Sequence, residues 1–270
     1  MKKMYYLGPK GSYSEVCANK IKQILKEELE LIPVSTINKI VEITQNEDSC
    51  AVLPIENSIE GIVRPTIDSL LASELKIQAQ TEIEINHCLF SNGNKNDIKN
   101  IISHPQALAQ CSKYILDNFD KEIKLISASS TSAAAHELVK LDEKHATICS
   151  FNIGNELGLS LIEKNIQDNK DNKTRFVLVS KKDVNLGVKT RSSIVFNTKN
   201  ESGALLEVLE IFKKHFLNLV YIESRPSKKV FGEYNFFVDI DKDVEKLDIV
   251  VKEVKDKCNF YKFLGSYPSV

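Results

Sequence analysis

An α/β fold followed by a smaller mixed unit is the class this 270-residue sequence predicts, and three observations carry the prediction. Short β-type runs alternate with helical patterns up to about Ser180, the signature of βαβ units and a largely parallel sheet. Beyond Thr190 the order becomes β-α-β-β-α-β, the ferredoxin-like pattern. Between them KKDVNLGVKT is polar and aperiodic, so the boundary falls in Lys181–Lys189.

Each element has its own reason. MYYLG reads as a strand, and Ser12 with Glu15 three residues later forms a capping box that starts a helix. LELIPV is a strand, INKIVEITQN an amphipathic helix and SCAVLPIE a buried strand. PIENSIEG, Pro54–Gly61, leaves that strand with Glu56, Asn57 and Ser58 expected in a turn, and a helix resumes after Gly61 and Pro65. KIQAQTEIEINHCLFS alternates apolar and polar residues and reads as one long strand. IKNIISH is a short strand, and Pro105 opens a helix running to about Asn118. IKLISA is a strand, SSTS caps the helix AAAHELVKL, HATICS is a strand, and a helix follows near Leu157. NKTRFVLVS, Asn172–Ser180, runs from polar residues straight into a buried strand. In the C-terminal unit SSIVFNT, LVYIES, GEYNFFVDI and NFYKFLGSYP are strands, with helices GALLEVLEIFKKHF and DVEKLDIVVKEVKDK.

Composition narrows the function. With 36 basic against 37 acidic residues the chain has no basic excess for a nucleic-acid or membrane surface. Six dispersed cysteines with no C-x-x-C read as buried apolar residues in a reducing compartment, and the histidines lack metal-ligand spacing. MKKMYYLGPKGS has no apolar signal-peptide core, so the expected location is cytoplasmic and the N-x-T at Asn172 is not a glycosylation acceptor. Arginine occurs only at 64, 175, 191 and 225, so each is a candidate carboxylate fork.

Three segments put hydroxyls and amides where a strand hands over to a helix: GSYSE at Gly11–Glu15, SHPQ at Ser103–Gln106, and SSTS at Ser129–Ser132. Each alone is an ordinary cap; together, at the strand ends of an α/β sheet, they suit an anionic ligand. PIENS is a binding-loop pattern, and SHPQALAQC sets Gln106 and Gln110 on one helix face.

Taken in order, YLGPKGSYSE, LPIENSIEG, SHPQALAQC, SSTSAAA, NIQDNKDNKTRF, GALLEVL and ESRP resemble a monofunctional prephenate dehydratase with a C-terminal ACT regulatory domain. LGSYP fits the family's usual end, while Leu157 stands where Tyr is common. The resemblance implies a catalytic domain over 1–182, built as two lobes like a type II periplasmic binding protein with the second lobe at roughly 80–165, and an ACT domain over 190–270. It implies loss of water and carbon dioxide from prephenate to give phenylpyruvate, driven by aromatisation and needing no cofactor or metal.

By the same resemblance Thr174 is catalytic, donating a hydrogen bond to the departing oxygen. Asn57, Ser103, Gln110 and, less directly, Thr131 are assigned to substrate. Neutral donors suit a ring carboxylate that must become CO2, because a tight cation would stabilise the starting state more than the transition state. Arg175 adjoins Thr174 on a strand and should face the other way; it either reaches the pyruvyl carboxylate through a bend or holds the lobes together. Gly203, Ala204 and Leu205 with Glu223, Ser224, Arg225 and Pro226 are the implied L-phenylalanine site, at an interface in a homodimer or homotetramer. Two other readings stand: an arogenate dehydratase, and a non-catalytic amino-acid-sensing binding protein.

Overall fold

The computed structural model describes residues 2–227, 233–244 and 247–270. The chain opens with β1 (Lys3–Leu7), α1 (Tyr13–Leu25), β2 (Glu30–Val34), α2 (Ile37–Asn46) and β3 (Cys50–Asn57). A hairpin to β4 (Gly61–Ile62) leads into α3 (Arg64–Ala72) and β5 (Lys76–Glu84). Ser12 accepts from the Glu15 amide, as the capping box requires, but the Glu15 carboxylate reaches back to the Gly11 amide at 2.6 Å and to the Tyr6 hydroxyl.

The alternating run Lys76–Ser91 is two strands, not one: it breaks after Glu84 and continues as β6 (Cys88–Ser91) in a different sheet. A 3-10 turn at Lys95–Asp97, β7 (Asn100–Ser103), α4 (Pro105–Gln110) and α5 (Ser112–Asn118) follow. The helix expected over 105–118 is broken at Cys111, whose φ of −116° and ψ of 17° leave the helical region. Next come β8 (Lys124–Ser127), α6 (Thr131–Leu138), β9 (His145–Cys149), α7 (Phe151–Glu156) and β10 (Ser160–Glu163). The helix expected near Leu157 has therefore already ended there. β11 (Lys173–Ser180) returns to the first sheet.

Among the described residues three sheets result. The first runs β2-β1-β3-β11-β5, with β4 paired to β3. Only β2, β1 and β3 are parallel; β11 is antiparallel to both neighbours, so the sheet is mixed rather than largely parallel. The second runs β10-β6-β9-β7-β8. The chain passes between these two sheets twice, at 85–87 and 164–172, and the Gln167 side chain ties the two passages by accepting from the His87 amide and donating to Asn86 Oδ1.

The third sheet contains β12 (Arg191–Thr198), β13 (Leu219–Pro226), β14 (Tyr234–Ile240) and β15 (Cys258–Tyr267), with α8 (Ala204–Lys214) and α9 (Asp248–Lys257) on one face. Its antiparallel order β13-β14-β12-β15 is the ferredoxin-like arrangement the sequence order predicts. Gly232, at the start of the expected GEYNFFVDI strand, and Glu245–Lys246 of the expected last helix lie outside the described residues. β12 is buried on both sides: Ile194 and Phe196 pack on α8 and α9, while Val195 joins Phe237 and Tyr267 against Ile67 and Leu70 of α3. That two-sided burial explains why Ile194, Val195 and Phe196 are apolar in succession rather than in alternation. Lys262 of β15 donates to the Leu70 and Leu71 carbonyls at 2.9 and 2.8 Å and to the Ser73 carbonyl, closing the C-terminal end of α3. Arg225 of β13 grips the other end, through the Arg64 carbonyl at 3.1 Å and Asp68 at 3.2 Å. No helix among the described residues is long and apolar enough to cross a membrane.

Candidate active site

A cleft of about 560 Å³ opens between the first and second sheets, a size common for small-molecule sites. One wall comes from the ends of β1 and β3, the β4 hairpin and Thr174 of β11; the other comes from α4 and the start of α6. The two passages between the sheets form its floor, contributing Ile85, His87 and Asn172. The loop before α1 closes over the second sheet's helices: Ser132 donates to the Lys10 carbonyl, and Gly11 sits at φ +78° with Ile153 where a Cβ would stand.

Glu56 and Asn57 are the last residues of β3, so the expected turn begins two residues later than predicted, at Ser58. Register places Asn57 directly opposite Thr174 across the β3–β11 ladder. The Asn57 side-chain oxygen accepts from the Ile59 and Glu60 amides at 3.0 and 3.1 Å, and two backbone donors fix which way the amide lies. Its NH2 therefore faces the ladder, donating to Thr174 Oγ1 at 3.0 Å, Asn172 Oδ1 at 2.9 Å and the Lys173 carbonyl at 3.1 Å. Because Thr174 Oγ1 accepts from Asn57, its own proton is free to point into the cleft.

The relay continues across the floor. Asn172 Nδ2 donates to Gln110 Oε1 at 3.1 Å, and the same oxygen lies 3.0 Å from His87 Nε2. An oxygen on Gln110 puts the hydrogen on His87 Nε2, leaving Nδ1 bare. Gln110 Nε2 is a buried donor with no partner among the described residues, at the edge of the cleft. Burial lowers the His87 pKa, with the Gln110 contact opposing the shift, so the ring is neutral near pH 7. Among the described residues neither Lys nor Arg lines the cleft, and Glu60 is the one charged side chain that does. Positive potential comes instead from the first turn of α6, where Ser129, Ser130 and Thr131 face the cleft.

Four of the predicted substrate-side residues meet here: Thr174, Asn57, Gln110 and Thr131. Two do not. Ser103 is fully buried and donates to the Ile148 carbonyl of the neighbouring strand at 2.6 Å, behind the cleft wall. Arg175 points to the opposite face of the first sheet, as strand alternation demands, and it joins that sheet to the third sheet rather than one lobe to the other. Its Nε lies 2.9 Å from Glu56 and its Nη2 2.6 Å from Asp239, and it reaches no cleft atom. Burial opposes its charge, but Asp239 and Glu56 more than compensate and raise its pKa above the ordinary arginine value. His87 and Asn172 are the floor residues to which sequence reasoning gave no role; Asn172 lay within the quoted NKTRF stretch, whereas His87 sat in what read as mid-strand.

The C-terminal candidates divide. Gly203 and Leu205, flanking Ala204 at the start of α8, line a second cavity of about 450 Å³ with Leu209, Tyr234 and Phe236. Glu223, Ser224, Arg225 and Pro226 lie on β13. Glu223 accepts from Tyr221 at 2.6 Å and Arg225 is engaged with α3, and none of these four residues lines the Gly203 cavity.

Comparison with known proteins fits this geometry. The family model described as prephenate dehydratase matches residues 4–184. A prephenate dehydratase from Methanocaldococcus jannaschii is 38% identical over 274 residues, covering 99% of this chain and 98% of the relative. A bifunctional chorismate mutase/prephenate dehydratase from Aquifex aeolicus is 37% identical over 270 residues, covering 98% of this chain and 73% of the relative. The crystal structure of prephenate dehydratase from Arthrobacter aurescens, in complex with L-Phe, superposes with a TM-score of 0.88 at 30% identity, covering 98% of this chain and 89% of that one. With well over half its length matched and full-length relatives above 30% identity, the chain belongs to the prephenate dehydratase family of lyases.

Proposed function

We propose that the cleft carries out the decarboxylating dehydration of prephenate to phenylpyruvate, with Thr174 as the catalytic donor. The carrying observation is the Asn57–Thr174 contact: Asn57 fills the acceptor side of the hydroxyl, so its proton is presented to the leaving oxygen before substrate arrives. As the C–O bond breaks, charge grows on that oxygen and the hydrogen bond strengthens, which is preferential stabilisation of the transition state. A hydroxyl cannot release its proton outright at neutral pH; water completes the transfer to the leaving group. Gln110 Nε2 supplies a second neutral donor, and the first turn of α6 at Thr131 receives a substrate carboxylate through helix-terminal amides. The absence of Lys and Arg from the lining leaves the ring carboxylate without a tight counter-ion, which favours its departure as CO2.

In this reading residues 1–182 form the catalytic domain, two lobes in the manner of a type II periplasmic binding protein, with the second lobe at roughly 80–165. Residues 190–270 form an ACT regulatory domain. L-Phenylalanine is the inhibitor, bound where Gly203–Leu205 of one copy meet Glu223–Pro226 of another in a homo-oligomer. The complex of the Arthrobacter aurescens enzyme with L-Phe supports this assignment.

Thr174→Ala tests the chemistry. Turnover of prephenate should fall by about two to three orders of magnitude with an unchanged circular dichroism spectrum. Near-parental turnover by a folded variant would refute the role. Running parent enzyme with prephenate and with arogenate separates the alternatives: phenylpyruvate marks a prephenate dehydratase, phenylalanine an arogenate dehydratase, and no product a binding protein.

A further inference from the structure

Directly behind the Asn57–Thr174 pair lies a buried ionic cluster that belongs half to the third sheet. Arg175 follows Thr174 on β11 and stands opposite Glu56, the residue before Asn57 on β3. The pairing slips at this point: Arg175 faces Glu56, but Phe176 faces Pro54, a bulge where the ladder alone fixes the strand end poorly. Arg175 Nε holds Glu56 at 2.9 Å, Nη1 donates to Gln80 of β5 at 3.1 Å, and Nη2 lies 2.6 Å from Asp239 of β14. Asp239 has no exposed surface. Its other oxygen accepts from Ser193 of β12 at 2.5 Å, and Ser193 in turn lies 2.6 Å from the Tyr267 hydroxyl of β15. Three strands of the third sheet thus hold one carboxylate still.

We propose that Asp239 is a positioning residue for the cleft: through Arg175 it sets the end of β11 against β3, and so the contact between Thr174 and Asn57. The guanidinium ties Arg175, which follows Thr174, to Glu56, which precedes Asn57, so a shift of the guanidinium moves both donors together. Alternation sends Arg175 and Thr174 to opposite faces, which is why Asp239 can act on the cleft without lining it. The C-terminal unit then contributes to turnover through an ion pair, and a change in that unit has a route to the cleft.

The inference rests on the reading of Thr174 as the catalytic donor, and the experiment keeps the two apart. Asp239→Asn retains size and one hydrogen-bonding oxygen while removing the charge. Steady-state kinetics with prephenate on the folded full-length variant should show kcat down at least about tenfold with KM within about twofold. The same substitution in an Asn57→Ala background should cost under about threefold, because the contact it serves is already gone. A loss of general stability would be additive in that cycle, and additivity overturns the proposal. Parental kcat in Asp239→Asn, alongside an inactive Thr174→Ala, overturns the proposal and leaves the catalytic reading standing; an active Thr174→Ala overturns the catalytic reading itself. If Asp239→Asn does not fold, Ser193→Ala keeps the ion pair but frees the carboxylate. It should lower kcat at least about threefold at unchanged KM, and an unchanged kcat overturns the proposal.

Discussion

His87 is 3% exposed, donates through Nε2 to Gln110, and has no partner for Nδ1 among the described residues. A second proton would place a cation there with nothing to receive it. Because its folded pKa lies below the ordinary value of about 6.5, the neutral ring's contribution is complete above that pH and is lost as pH falls below it. Stability measured by urea unfolding should therefore fall as pH is lowered below about 6.5 in the parent, and fall with a shallower slope in His87→Gln. An unchanged slope would contradict this. At this scale the sequence revealed what strand alternation and motif order encode: Thr174, Asn57, Gln110 and Thr131 in the cleft, and Arg175 directed away from Thr174. It did not reveal Ser103, whose hydroxyl is taken by a carbonyl of a strand 45 residues distant. Nor did it reveal His87, because the strand break that exposes this residue to the cleft has no glycine or proline to announce it.

Among the elements, α3 draws on a distant partner. It has no basic residue in its own last turn, and Lys262 supplies the charge from β15. Lys262→Met leaves three terminal carbonyls without that donor, and the urea midpoint should fall by the equivalent of about 1–2 kcal/mol. An unmoved midpoint would show that solvent replaces the lysine without loss. Elements with strong periodicity, such as α2 and α8, match their sequence reading closely, because their apolar stripes have a single sheet to cover. Misreadings cluster in the second sheet. There α4 and α5 are separated by one non-helical residue, and β10 carries mostly exposed side chains and so no apolar alternation. The mixed direction of the first sheet was also hidden: β11 is added after a long excursion, and its orientation follows from where the chain returns, which no local pattern states.

For the molecule as a whole, the cavity at Gly203 is the place where a regulatory ligand is expected to act. Gly203 has φ +86°, so a β-branched residue there would be strained by about 1–3 kcal/mol and would displace the start of α8. Calorimetric titration of Gly203→Val with L-phenylalanine should show affinity reduced at least about tenfold. Parental affinity would exclude Gly203–Leu205 from the effector site. The order of elements along the chain announced both the α/β part and the ferredoxin-like unit. The contacts that join them, through Arg175, Lys262 and Arg225, have no counterpart in any local pattern. One further consequence comes from the two passages between the first and second sheets. Glu84 and Lys173 stand opposite each other on adjacent strands, so the 88 residues between them depart and come back through a doorway one strand pair wide. Such a segment is an exchangeable cassette. Two splices at that doorway would transplant a relative's cassette while leaving every rung of the host sheet intact, and with it half of the cleft's chemistry.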